Sequence, residues 1–171
     1  MTVVSADNPT VVKYSFTTKN LGANDPEDIA VDTKTGNLFI VNGIDRTIIE
    51  VDNKGTVQIS KIVLPTSIVD PEALAFDSEN NVFYVSGGFS DLIWKLDRNG
   101  NVIDTITALT EMRSADHDYH VAVKDIEIAP ASDGSGEMHL YVADYGLSHV
   151  ADGRLIEIDL GDSGLNNWLV V

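Results

Sequence analysis

Short runs of β-branched and aromatic residues, each closed by a polar turn, recur along the chain. Residues 11–17, Val11-Val12-Lys13-Tyr14-Ser15-Phe16-Thr17, alternate and predict a strand. Four more strands are predicted over 29–31, 38–41, 47–51 and 57–63, separated by Asp32-Thr33-Lys34-Thr35-Gly36-Asn37, Asn42-Gly43-Ile44-Asp45-Arg46 and Asp52-Asn53-Lys54-Gly55. The run 38–41 is apolar throughout, as for a strand covered on both faces. The run 57–63 alternates, as for a half-exposed outer strand. The same order returns at 73–76, 82–85, 92–96 and 102–106, and again at 126–128, 138–142, 154–158 and 168–171. Between the second and third sets lies a polar insertion, 110–120, read as loop. No capped segment of helical period competes with the strands.

The block that opens each set is itself repeated. Asp25-Pro26-Glu27-Asp28-Ile29-Ala30-Val31-Asp32 and Asp70-Pro71-Glu72-Ala73-Leu74-Ala75-Phe76-Asp77 stand 45 residues apart, and Val123-Lys124-Asp125-Ile126-Glu127-Ile128-Ala129 is a weaker third copy. Four short strands per unit and a period of about 40–50 residues predict an all-β fold, a β-propeller of three blades. We place the blades at about 25–64, 70–109 and 123–171 of a single domain, 1–171, with strand 11–17 completing a blade. A β-sandwich does not repeat one sequence block three times.

Composition narrows the partners. The 171 residues include 27 acidic and 11 basic side chains, a formal charge of −16, which repels phosphate backbones and disfavours nucleic acid. It suits a salty or extracellular setting, or carboxylates that hold hard cations. With 43% hydrophobic residues the chain is not disordered by composition, and its apolar runs are far too short to span a membrane. It has no cysteine, hence no disulfide and no thiolate metal site.

The blocks Pro-Glu-x-φ-Ala-φ-Asp, Gly36-Asn37-Leu38-Phe39-Ile40-Val41 and Asn80-Asn81-Val82-Phe83-Tyr84-Val85 resemble six-bladed propellers of the NHL-repeat and gluconolactonase-like superfamily. The third unit, with Leu140-Tyr141-Val142-Ala143-Asp144-Tyr145-Gly146 and Asp152-Gly153-Arg154-Leu155-Ile156-Glu157-Ile158, is similar to the closing blade of propellers in secreted bacterial proteins that carry calcium-binding repeats. The resemblance covers about residues 11–160 and implies half of a six-bladed ring. A half ring leaves two blade faces open. At several hundred Å² each and about 25 cal/mol per Å², that forgoes on the order of 10 kcal/mol per face. The ring is therefore expected to close as a homodimer or with the remainder of a longer chain.

Candidate chemistry clusters at strand ends. Glu27 and Glu72 precede innermost strands, Asp125 lies near the matching place in the third unit, and Asn42 and Asp144 follow second strands. In gluconolactonase-like enzymes a divalent cation at the channel centre is held by oxygen ligands from several blades. The resemblance thus makes Glu27, Glu72, Asp125, Asn42 and Asp144 candidate ligands for Ca2+. Recurrence weighs toward a structural role for Pro-Glu, because catalytic residues normally differ from blade to blade. The His-x-x-His of Asp116-His117-Asp118-Tyr119-His120 is a second candidate metal site, with His117 and His120 as ligands. His139 and His149 have no partner nearby in sequence, Ser86-Gly87-Gly88 is no nucleophile elbow, and no phosphate loop is present. The sequence-level expectation is a non-catalytic binding module of a secreted or surface bacterial protein, associated with calcium or with no cofactor. The alternative is a metal-dependent hydrolase, gluconolactonase- or phosphoesterase-like, with an axial divalent cation.

Overall fold

A computed structural model describes residues 1–88, 90–115, 120–147 and 151–161, and the backbone of 168–170. Strands β1 (Thr2–Val4) and β2 (Val12–Ser15) form a two-stranded sheet. Three four-stranded sheets follow: β3 (Pro26–Val31), β4 (Leu38–Asn42), β5 (Thr47–Val51) and β6 (Gln58–Val63); β7 (Ala73–Asp77), β8 (Val82–Ser86), β9 (Ile93–Leu96) and β10 (Val102–Ile106); β11 (Val123–Pro130), β12 (Met138–Asp144), β13 (Arg154–Asp159) and β14 (Trp168–Val170). Each is an antiparallel meander whose spatial order follows the chain. The first strands of the three sheets, β3, β7 and β11, lie side by side. Among the described residues no helix is long and apolar enough to cross a membrane.

Aspartates at the strand ends shape the turns. Asp52 accepts hydrogen bonds from the Thr56 and Val57 amides at 2.6 and 2.8 Å, and Asp97 from those of Asn99 and Asn101 at 2.8 and 2.9 Å. Asp32 and Asp77 do the same in the turns after β3 and β7. Much of the acidic excess therefore satisfies turn backbone locally.

The sheets meet face to face through two apolar layers. Phe39, Val41 and Ile48 of the first sheet pack on Phe76, Phe83 and Trp94 of the second. Ala75, Tyr84 and Ile93 on the other side of the second sheet pack on Ile126, Leu140 and Ile156 of the third. A one-residue register difference makes this possible. Asp28 pairs with Val41, but Ala73, its counterpart in the repeated block, pairs with Ser86. Side-chain direction alternates along a strand, so Phe39 and Phe83, matched in the sequence blocks, point to opposite faces and meet. Their rings stand edge to face at 4.9 Å, with Phe76 4.6 Å from Phe39. Arg98, in the turn after β9, lies over the Phe39 ring at 4.4 Å and bonds Glu50 on β5 at 2.9 Å, so the turn of the second sheet is tied to the first.

Three expectations change. The stretch 11–17 does not complete a four-stranded sheet. Its strand pairs with Thr2–Val4, Tyr14 donates to the Asn53 carbonyl at 2.8 Å, and Phe16 packs over Gly55, where a Cβ would come within 2.4 Å of the ring. With Leu21 and Ala23, Phe16 covers Leu38, Ile40 and Ile49, the face of the first sheet turned away from the second. That face is therefore not open. The outward face of the third sheet is not the apolar surface assumed either: it carries His139, Tyr141, Glu157 and Asp159 in cross-strand register. Finally, 110–120 is not all loop, because α1 (Ala108–Ala115) buries Ala108, Leu109 and Met112 against the second interface.

Candidate functional site

The loops before β3, β7 and β11 and those after β4, β8 and β12 gather at one end of the sheets, because the first two strands of each sheet are antiparallel neighbours. Four of the five expected ligands sit here with a repeated architecture, and Asp125 lies just inside it. Asn42 and Asp144 are buried at the ends of β4 and β12. Asn42 Oδ1 accepts the Asp25 amide at 2.7 Å, and Asp144 Oδ1 accepts the Ala122 amide at 2.7 Å, the same bond in the first and third sheets. Asn42 Nδ2 also donates to Asp45 at 2.9 Å. The structure thus places both side chains in the scaffold of the loops.

In the second sheet the register difference puts Gly87 at that position. Its backbone runs so close to the preceding loop that a Cβ would lie 2.2 Å from the Glu72 nitrogen and 2.4 Å from the Asp70 oxygen. Here a different main-chain bond holds the loop: the Glu72 amide, two residues beyond the counterpart of Asp25, donates to the Ser86 carbonyl at 3.0 Å.

The remaining acids form an inner rim. A register irregularity at Glu27 in β3 and another at Lys124 in β11 displace these residues from the ladder. Glu72 pairs with Lys124 across the second and third sheets. Glu27 is exposed, yet the desolvation it does suffer and the negative charges of Asp25, Glu72 and Asp70 raise its carboxyl pKa. The structure therefore brings Glu27 and Glu72 into one electrostatic group.

The residue that sequence reasoning missed is Asp28. Its Oδ2 accepts the Leu74 amide of the neighbouring sheet at 2.8 Å, and its Oδ1 accepts the Ile29 amide at 2.6 Å. Burial pushes its carboxyl up to about 6 against those two bonds, with a smaller contribution from the charge of Asp125 and a hydrogen bond to it. A carboxyl can bond a carboxylate only when one of them keeps a proton. Asp28 thus reaches from the first sheet towards Asp125 of the third. The signal was available: the position reads Asp28, Ala73, Asp125 in the three copies, a carboxylate in the first and third where the second has alanine.

The second expected site is only partly described. His117 lies outside the described residues. His120 is exposed, 3.9 Å from Asp152, whose Oδ1 accepts the Leu147 amide at 2.8 Å.

No protein-family model matches the chain, and no curated protein matches it. Among solved structures it is similar to hydrazine synthase of Kuenenia stuttgartiensis, with a TM-score of 0.51 and 20% identity over 86% of this chain and 36% of that one. It is also similar to the β-propeller domain of Cps50 (Swd1) from Myceliophteria thermophila, with a TM-score of 0.51 and 11% identity over 86% of this chain and 39% of that one. The chain spans less than two fifths of the length of either neighbour. At such identity the likeness is one of fold, and with the sheet topology it gives the architecture: the three sheets are blades of a partial β-propeller.

Proposed function

We propose that this chain is a non-catalytic propeller module that binds a cationic ligand at the acidic inner rim, with Ca2+ the simplest such ligand. The observation that carries the reading is the gathering of Glu27, Asp28, Glu72 and Asp125, from all three blades, at one end of the sheets, with Asp28 bonded across to the second sheet. The negative charge of Asp125 adds to the burial that raises the Asp28 carboxyl, and a bound cation offsets both. Oxygen donors from several strands suit a hard ion. The resemblance to NHL-repeat and gluconolactonase-like propellers, and the acidic composition that suits a secreted or surface protein, support the same reading. Asn42 and Asp144 enter it as residues that hold the loops, and Asp28 replaces them among the ligands.

The experiment is a calorimetric titration of Ca2+ into the chain and into Asp28→Asn and Asp125→Asn variants at neutral pH. Binding in the parent, weakened at least tenfold by either substitution, is the expected result. Equal affinity in all three proteins, or no binding, overturns the reading. The alternative, a hydrolase with an axial cation, shares the rim and adds turnover. Calcium-dependent opening of a lactone by the parent, lost in Asp125→Asn, would replace the non-catalytic reading with it.

A further inference from the structure

A second cluster lies away from the rim, on the face of the third blade turned from the second. His139 and Asp159 are cross-strand partners on β12 and β13, as are Tyr141 and Glu157, and Glu137 stands just before β12. One ligand atom each from Glu137, His139 and Asp159 lies within 4.8 Å of the others. His139 is only 9% exposed.

The hydrogen bonds around that histidine set its orientation. Glu157 Oε1 receives the Ser132 amide at 2.8 Å and the Tyr141 hydroxyl at 3.0 Å, and Oε2 receives the Ser132 hydroxyl at 2.5 Å. Glu157 already accepts from the Ser132 amide and hydroxyl, so it is the acceptor here too, and His139 Nδ1, 2.9 Å from Oε1, is the donor. The other ring nitrogen is Nε2. It is buried, has no hydrogen-bond partner, and lies 3.6 Å from Asp159 Oδ1. A buried imidazole nitrogen facing a carboxylate takes a proton or a metal cation between them. A carboxylate that fixes the tautomer through Nδ1 and leaves Nε2 free is the arrangement found behind metal-bound histidines.

We propose that Glu137, His139 and Asp159 bind a divalent transition cation of the Zn2+ class, with Glu157 orienting His139. One imidazole nitrogen and two carboxylate oxygens are a borderline donor set, and exposed Glu137 leaves the ion a solvent-facing position. The site shares no residue with the rim and does not rest on the function proposed there.

The test is titration of chelator-stripped protein with Zn2+ by calorimetry and with Co2+ by visible absorption. One equivalent per chain is expected, with ligand-field bands of a low-coordinate Co2+ site. His139→Gln and Asp159→Asn each remove it, and Glu157→Gln weakens it by about 10–100-fold. The double variant His117→Gln/His120→Gln and the rim variant Asp28→Asn retain it. Binding that survives His139→Gln, or that vanishes in His117→Gln/His120→Gln, overturns the assignment, as does the absence of binding. If the substitutions in this blade unfold it, 15N spectra of the parent decide: Zn2+ must shift His139 Nε2, and an unmoved resonance at saturating Zn2+ refutes the site.

Discussion

Replacing Arg98 with alanine tests how the blades are held together. Its guanidinium bonds Glu50 Oε2 at 2.9 Å and lies 4.4, 5.4 and 5.6 Å from the ring centres of Phe39, Phe83 and Phe76. Glu50 has an 8% exposed side chain, and Arg98 28%. Burial would raise the Glu50 carboxyl, but the Ser60 and Asn37 hydrogen bonds and the Arg98 charge hold it below its ordinary value. The variant removes a cation–π contact of about 1 kcal/mol. It also strips a buried carboxylate of its counter-ion, an effect of about 3–5 kcal/mol when the ion is left with nothing. Here Ser60 and Asn37 remain bonded to Glu50 at 2.8 and 2.9 Å, and solvent reaches the Arg98 side, so about 1–2 kcal/mol is the appropriate share. The sum is about 2–3 kcal/mol, a fall in melting temperature of roughly 4–12 °C for a domain of this size. Urea unfolding at pH 7 measures it. A cycle with Glu50→Gln isolates the coupling, expected near 1 kcal/mol or more. Arg98→Lys should recover part of the charge and little of the stacking. A loss below about 0.5 kcal/mol in Arg98→Ala with no coupling to Glu50 would falsify the view that this arginine joins the blades.

Gly87→Ala should destabilise by more than about 2 kcal/mol in the same urea assay, because its Cβ has nowhere to go between Glu72 and Asp70. Gly134→Ala meets nothing within 4 Å and carries only the strain of φ +77°, about 1 kcal/mol; equal effects at the two sites would refute the close approach. Stability against pH should rise as pH falls from 7 towards 5, since Asp28, raised to about 6, binds its proton more tightly folded than unfolded. It should then fall below about pH 4, where Asp52 and Asp97, held low chiefly by Thr56 and Asn101, are protonated. Asp125→Asn should flatten the upper limb partly, burial being the larger cause, and a profile with no rise between pH 7 and 5 would refute the Asp28 assignment. Closure of a ring by a second copy requires the face that Phe16 and Leu21 cover. Light scattering should therefore report more self-association for Phe16→Ser/Leu21→Ser than for the 18.5 kDa parent, and an unchanged mass would show that the covered face does not pair.

The strands were legible because short runs of β-branched and aromatic residues, closed by polar turns, write them. Runs 38–41, 47–51 and 82–85 declare themselves in a few residues, and the structure extends them by a residue at most. The helix at Ala108 was not, because two turns offer only Ala108, Leu109 and Met112 as an apolar stripe inside a polar segment. Nor was the role of the N-terminal hairpin. The composition of residues 11–17 suits any edge strand, and which sheet they join depends on Tyr14 and Phe16 finding Asn53 and Gly55, about 39 residues away.

Register explains most of what remained hidden. Matching the blocks by eye sets Asn42 beside Ser86, yet the pairing sets it beside Gly87, and one residue turns every side chain of a strand to the other face. That shift lets Phe39 and Phe83 oppose each other, gives Arg98 a triple aromatic platform, and leaves no side chain at Gly87 to hold the Asp70–Glu72 loop. The same reason hid His139. Read along the chain it has no partner. Read across the β12–β13 ladder it has Asp159 directly opposite and Glu157 two residues before that, 18 positions away in sequence. Sites built across a sheet are invisible to spacing rules that work within a helix or loop, because their ligands are neighbours only once two strands have chosen their register. The rim is the same case one level up: Asp28 and Asp125 come together when the blades pack. A sequence repeat therefore shows where blades begin, and positions at which the repeat breaks, such as Asp28, Ala73 and Asp125, show where one blade has been given a task its neighbours lack.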